Sequence, residues 1–151
     1  MCGIVGQLFQ KGRYNHGILR ALRDSVVHRG PDDAGEWYSS DFRAGLAHRR
    51  LAIIDLLPAG HQPMLDESCR SCIVFNGGIY NFKELRRELA GKGHIFRSES
   101  DTEVILASYR EWGIECLQHF NGMFAFGLYD SEHQRLFLAR DRAGEKYAIG
   151  S

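Results

Sequence analysis

The sequence predicts an α+β domain built mainly from antiparallel sheets. Strand-length apolar runs come in pairs joined by short polar turns, and two amphipathic helical patterns follow one another instead of alternating with strands. The chain has 151 residues, 44% hydrophobic and 25% charged, an ordinary globular composition for one domain over 1–151 that needs no disulfide or metal staple. Its 19 Lys+Arg balance 19 Asp+Glu, which argues against a generic binder of nucleic acid or anionic membrane and favours small-molecule chemistry. The four cysteines (Cys2, Cys69, Cys72, Cys116) lack the dense spacing of a secreted disulfide scaffold. No leader-like stretch or bilayer-length apolar run occurs, so a soluble, cytoplasmic protein is expected.

Residues 2–9, CGIVGQLF, read as a strand beginning almost at the first residue, a place where chains normally fray unless something ties them down. A helix is expected over 17–27, where Ile18, Leu19, Leu22, Val26 and Val27 recur on one face, and Pro31 ends that register. Strands over 35–40 and 43–48, with a polar turn at 39–41, form a predicted hairpin. LAIIDL (51–56) is apolar and β-branched, and LPAGHQPM (57–64) is a loop expected to border a site. From Ser71, SCIVFNGGIYN reads as a buried strand breaking into a glycine turn at Asn76-Gly77, followed by a helix carrying Phe82, Leu85 and Leu89. Ser100 with Glu103 has capping-box spacing for a second helix that buries Val104, Ile105, Ala107 and Tyr109 and ends at Gly113. MFAFGLYD and QRLFLARD, with a turn around 131–133, form a late hairpin.

Cys2 has two readings. It is either a small buried hydrophobe or, once Met1 is removed, a nucleophile whose own α-amine, with an ordinary pKa of about 7.7–8.0, takes up the thiol proton. Asn76 and Gly77 are either a turn pair or a side-chain amide and a backbone N–H converging on one oxyanion. Arg50 suits a bidentate clamp on a carboxylate and Asp101 an ammonium partner; the alternatives are a solvated Arg and a carboxylate at a helix start. Cys69-Arg70-Ser71-Cys72 is a lone C-x-x-C without a second ligand pair, and Cys72 falls in a strand, so neither metal binding nor redox chemistry is expected. His28 and His48 are expected to satisfy internal hydrogen bonds. No P-loop, dinucleotide fingerprint or pyrophosphate loop is present, so no cofactor is expected in this chain.

Taken together, CGIVG (2–6), HRGPD (28–32), HRRLAIID (48–55), FNG (75–77), SDTE (100–103), NGMFAFGLYD (121–130) and LFLARDRAGEK (136–146) resemble class II glutamine amidotransferase domains, closest to the glutamine-hydrolysing asparagine synthetases. The resemblance implies the N-terminal nucleophile hydrolase fold, a four-layer αββα sandwich. It implies that Cys2 forms a γ-glutamyl thioester from L-glutamine and releases ammonia, with Asn76 and Gly77 as the oxyanion hole. Arg50 would bind the substrate α-carboxylate and Asp101 its α-ammonium, with backbone from Leu51, Ile53 and Ile54 lining the pocket. The implied partner is an ATP-dependent synthetase domain or subunit, and ATP and Mg²⁺ are expected only there.

Two departures stand out. The family pattern has Glu where this chain has Gly78, which removes a substrate-side carboxylate, and the consecutive glycines are expected to loosen the oxyanion hole. From Lys146, the last residue of GEK, the sequence KYAIGS (146–151) departs from the family, so a C-terminally truncated sandwich without a synthetase domain is expected, its open sheet edge favouring a homo-oligomer or a partner. The alternative function is a non-catalytic glutamine-binding or interaction module of the same fold.

Overall fold

β1 (Gly3–Leu8) starts one residue after Cys2 and is tied down at once: it pairs antiparallel with β3 (Ala44–Arg50), Gly3 opposite Arg49 and Ile4 opposite His48. The hairpin partner of β3 is β2 (Asp33–Tyr38), giving a three-stranded sheet in the order β1-β3-β2. The second sheet runs β4 (Met64–Leu65), β5 (Ser71–Ile79), β6 (Gly122–Asp130), β7 (Arg135–Arg140), all antiparallel. This computed structural model describes residues 2–51, 60–144 and 146.

Side-chain alternation along the strands assigns each face. Ala44 and Leu46 of β3 meet Cys72 and Val74 of β5 and Tyr129 of β6 between the sheets, with Ile4, Trp37 and Leu136 packed around them. On the other face of the second sheet, Ile73, Phe75, Phe124, Phe126 and Leu128 bury against α2 (Phe82–Gly91) and α3 (Asp101–Trp112) through Leu85, Leu89, Val104, Ile105 and Tyr109. On the outer face of the first sheet lies α1 (His16–Ser25), whose buried Leu19 occupies the space a Cβ at Gly45 would need. The order is therefore helix, sheet, sheet, helices, the αββα sandwich. Among the described residues no helix is long and apolar enough to cross a membrane.

Most expected elements are present with shifted ends. The first helix stops at Ser25, and Val27–Arg29 form a separate 3₁₀ turn on which His28 is exposed instead of internally bonded. Ser100 does cap α3, its Oγ accepting the Thr102 N–H at 3.0 Å. Glu103, however, reaches past Ser100 to the N–H groups of Arg97 and Ser98, at 2.9 and 2.8 Å, so it fastens the preceding loop and does not close a capping box. Val104, Ile105 and Tyr109 are buried, while Ala107 is half-buried.

The main correction concerns β5. No turn occurs at Asn76-Gly77: the strand continues to Ile79, with Asn76 opposite Ala125, Gly77 opposite Phe124 and Gly78 opposite Met123. Gly77 is required there because its φ is +141° and a Cβ would lie 2.1 Å from the Met123 carbonyl oxygen. The same ladder restrains both glycines, which opposes the loosening expected from their sequence.

A second close approach ties the loop before β4 to the first sheet, since a Cβ at Gly35 would fall 1.9 Å from the Gln62 carbonyl oxygen. Gly35→Ala is expected to lower stability by about 2–3 kcal/mol, because backbone and not a movable side chain must yield. Urea unfolding of the variant checks this; a loss within experimental error would show that the loop moves aside freely.

Candidate functional site

Alternation along the strands brings the chemistry to one mouth between the sheets. Cys2 precedes β1 on the inward-facing parity of Ile4, Arg50 follows Leu46 and His48 on β3, and Asn76 follows Cys72 and Val74 on β5. A cleft of ≈ 480 Å³ opens there, lined by Cys2, Arg50, Leu51, Asn76, Gly77, Gly78 and Asp101. Ile53 and Ile54 lie outside the described residues.

The neighbouring arginines are separated by the same alternation. Arg49 turns to the helical side and pairs with Asp24, whereas Arg50 enters the cleft. Asn76 is 8% exposed on the cleft wall. Asp101 opens α3, and its Oδ2 accepts the Ile79 N–H at 3.0 Å, so the end of β5 positions this carboxylate. Burial raises the Asp101 pKa, opposed by the Ile79 and Thr102 N–H groups. A cation delivered beside it would favour the carboxylate further.

Along the edge of β5 that faces the cleft, alternate N–H groups point the same way. The Phe75 N–H donates to Gln62 Oε1 at 2.6 Å, and the Ile79 N–H donates to Asp101. Gly77 lies between them, so its N–H belongs to the same edge, at the cleft wall. His48, 1% exposed, places Nε2 3.2 Å from the Phe75 carbonyl oxygen, where the ring nitrogen must donate. Burial pushes the His48 pKa down to about 4, the Phe75 carbonyl opposing the shift, so the imidazole is neutral near pH 7. A half-buried thiol, a backbone donor, a side-chain amide, a guanidinium and a carboxylate thus share one concave surface. This set suits covalent chemistry on a zwitterion bearing a carbonyl.

Sequence reasoning flagged the 57–64 loop, and Gly60 and Gln62 from it do line the cleft. It missed Thr102, Tyr80, Phe82, Met123 and Lys146, which also line it. Thr102 was within reach, because it directly follows Asp101 in the flagged SDTE motif. Cys69 is exposed and Cys72 is buried in β5, both as free thiols, and neither lines this cleft.

Comparison with known proteins gives a consistent picture. Residues 1–148 match the family described as glutamine amidotransferase domain. Asparagine synthetase [glutamine-hydrolyzing] 3 of Bacillus subtilis is 40% identical over 154 aligned residues, covering 97% of this chain and 24% of the relative. The amidase chry2 of Gibberella zeae is 42% identical, over 97% of this chain and 23% of its own length. The chain therefore spans about a quarter of these relatives. Among solved structures, the glutamine phosphoribosylpyrophosphate amidotransferase of B. subtilis, complexed with ADP and GMP, superposes with a TM-score of 0.72. It covers 91% of this chain and 37% of that one at 18% identity, a likeness of fold.

Because the folded pKa of His48 lies below its unfolded value near 6.5, its contribution to stability is complete above about pH 6.5 and is lost as pH falls toward 4. The loss amounts to at most about 3 kcal/mol. His48→Gln keeps a donor without titrating there and is expected to flatten the slope of unfolding free energy between pH 6.5 and 4; parallel slopes would count against a neutral buried His48.

Proposed function

The chain belongs to the glutamine amidotransferase domain family, and from that membership we propose that it hydrolyses L-glutamine to glutamate and ammonia in the cleft, with Cys2 as nucleophile. The observation that carries this reading is that four separate segments bring Cys2, Arg50, Asn76-Gly77 and Asp101 to one surface. Removal of Met1 frees the α-amine of Cys2, which takes the thiol proton directly or through a water. The sulfur attacks the side-chain carboxamide carbon. The oxyanion that forms accepts hydrogen bonds from the Asn76 amide and the Gly77 N–H. The protonated amine then gives its proton to the leaving nitrogen, ammonia departs, and water cleaves the thioester to release glutamate. Arg50 holds the α-carboxylate as a bidentate partner and Asp101 the α-ammonium. Gly78 and Leu51 border the bound substrate.

The ammonia is proposed to serve a synthetase domain or subunit that activates an acceptor with ATP and Mg²⁺; no step in this cleft runs through either. The relatives are named as asparagine synthetases and as an amidase, so an acceptor carboxylate is specified here only as a class. The four free thiols suit the reducing cytoplasm. β7 is the outer strand of its sheet among the described residues, and self-association or a partner is proposed along that edge.

Two predictions test the reading. The processed chain is expected to take one equivalent of the glutamine analogue 6-diazo-5-oxo-norleucine at Cys2, and Cys2→Ala none, as read by intact mass. A folded, processed chain that stays unlabelled would favour a non-catalytic module. Around Gly78 there is room for a side chain, the first neighbour of a Cβ being Tyr80 Cε1 at 3.9 Å. Gly78→Glu, adding a second carboxylate for the ammonium, is expected to lower KM for glutamine by about tenfold or more, the scale of one charged hydrogen bond. An unchanged KM would remove Gly78 from the account of affinity.

A further inference from the structure

β4 is only two residues long and covers β5 no further than Ile73. Extending its register backwards would set Pro63 opposite Val74 and Gln62 opposite Phe75, but proline has no N–H for a ladder and the main chain of Gln62 lies instead against Gly35 of β2. Side chains take over the pairing. Gln62, 7% exposed, accepts the Phe75 N–H at 2.6 Å through Oε1 and donates through Nε2 to Thr102 Oγ1 at 3.4 Å. His48 holds the carbonyl of the same residue, Phe75, at 3.2 Å. Phe75 immediately precedes Asn76, and Thr102 immediately follows Asp101.

We propose that Gln62 is a positioning residue: its amide braces the cleft edge of β5 against the first turn of α3, fixing Asn76 and Gly77 relative to Asp101. A side chain serves this purpose better than a longer β4 would. A further strand would pair the edge beyond Phe75 and cover the Gly77 N–H, whereas one amide satisfies Phe75 and stops. The amide also has both polarities needed, an oxygen for the Phe75 donor and an NH₂ for the Thr102 hydroxyl. Its backbone against Gly35 anchors the brace in the first sheet, so β2, β5 and α3 meet at one residue.

The geometry stands alone, while its kinetic consequence rests on the proposed glutamine chemistry; the test keeps them apart. In the full chain, Gln62→Leu removes both bonds, Gln62→Glu keeps an acceptor for Phe75 and accepts from a turned Thr102 hydroxyl, and Thr102→Val cuts only the link to α3. Amide hydrogen exchange at Phe75 reads the brace without turnover. Steady-state glutamine hydrolysis reads positioning, and alkylation by iodoacetamide, a displacement that builds no oxyanion, reads Cys2 access when followed at Cys2 by peptide mass, apart from the exposed Cys69 thiol. Gln62→Leu is expected to speed Phe75 exchange and to lower kcat by about tenfold or more, with the alkylation rate within about twofold of the parent chain. Gln62→Glu is expected to recover most of kcat, and Thr102→Val to act mainly on KM.

Unchanged Phe75 exchange in Gln62→Leu would overturn the proposal. So would equal losses of kcat and alkylation rate, or a Gln62→Glu variant as impaired as Gln62→Leu. If the parent chain itself does not hydrolyse glutamine, the functional reading fails and Phe75 exchange alone decides the brace. If Gln62→Leu does not fold, the KM-against-kcat split in the other two variants decides it: a Thr102→Val variant with KM unchanged would overturn the brace to α3.

Discussion

The cleft depends on the antiparallel pairing of β5 with β6 through Asn76, Gly77 and Gly78. A strand that turned at Gly77 would carry the Asn76 amide away from the mouth between the sheets and release the Ile79 N–H that holds Asp101. Because Gly77 adopts φ +141° and accepts the Met123 backbone against its Cα, the strand stays in register for two more residues. The polar wall of the cleft is thus the unpaired edge of a strand whose other edge is fully committed. An edge of this kind ordinarily invites a further strand. Here Gln62, His48 and Asp101 meet its bonding capacity at Phe75 and Ile79.

Burial shapes the charges as much as geometry does. His48 is kept neutral because ionising it would place a charge among the packed sheets, and it therefore serves as a hydrogen-bond donor instead of a base. This agrees with the proposed role of Cys2, which would carry its own base in its α-amine. Cys72 shows the converse: deep in β5, its thiol pKa is pushed up by burial, which leaves it inert as a nucleophile despite the C-x-x-C spacing. The position of a thiol at the mouth or in the core, and not the motif around it, separates these two cysteines.

Legibility in the sequence followed the range of the interaction that decides each feature. β1, α2, α3 and the β6–β7 hairpin are set by local periodicity and caps, and their patterns were readable. Asn76-Gly77-Gly78 reads locally as a turn, and only the ladder partners Met123 and Phe124, far along the chain, make it a strand. Glu103 has capping-box spacing, yet the loop N–H groups at Arg97 and Ser98 compete for its carboxylate and win. Of the candidate site, Cys2, Arg50, Asn76, Gly77, Gly78 and Asp101 were legible as a set only through the family pattern; alternation then distinguishes Arg50 from Arg49 once the sheets are known. Gln62 was hidden because its partners, Phe75 and Thr102, lie 13 and 40 residues away.

The placement of Arg50 and Asp101 bears on how the proposed site selects an amino acid. Asp101 is a useful ammonium partner only when ionised, and burial works against ionisation while backbone N–H groups, that of Ile79 foremost, work for it. In the proposed reading, an arriving α-ammonium would favour the carboxylate further. An amide without the ammonium would, in the same reading, forgo the ion pair at Asp101, and one without the carboxylate would forgo the bidentate contact with Arg50. In that reading, selection between amino acids and simple amides comes from these two contacts together. With Gly78 contributing no side chain, the ammonium end of this selection rests on Asp101 among the residues assigned to substrate binding, and the rigidity of the α3 start that carries it gains corresponding weight.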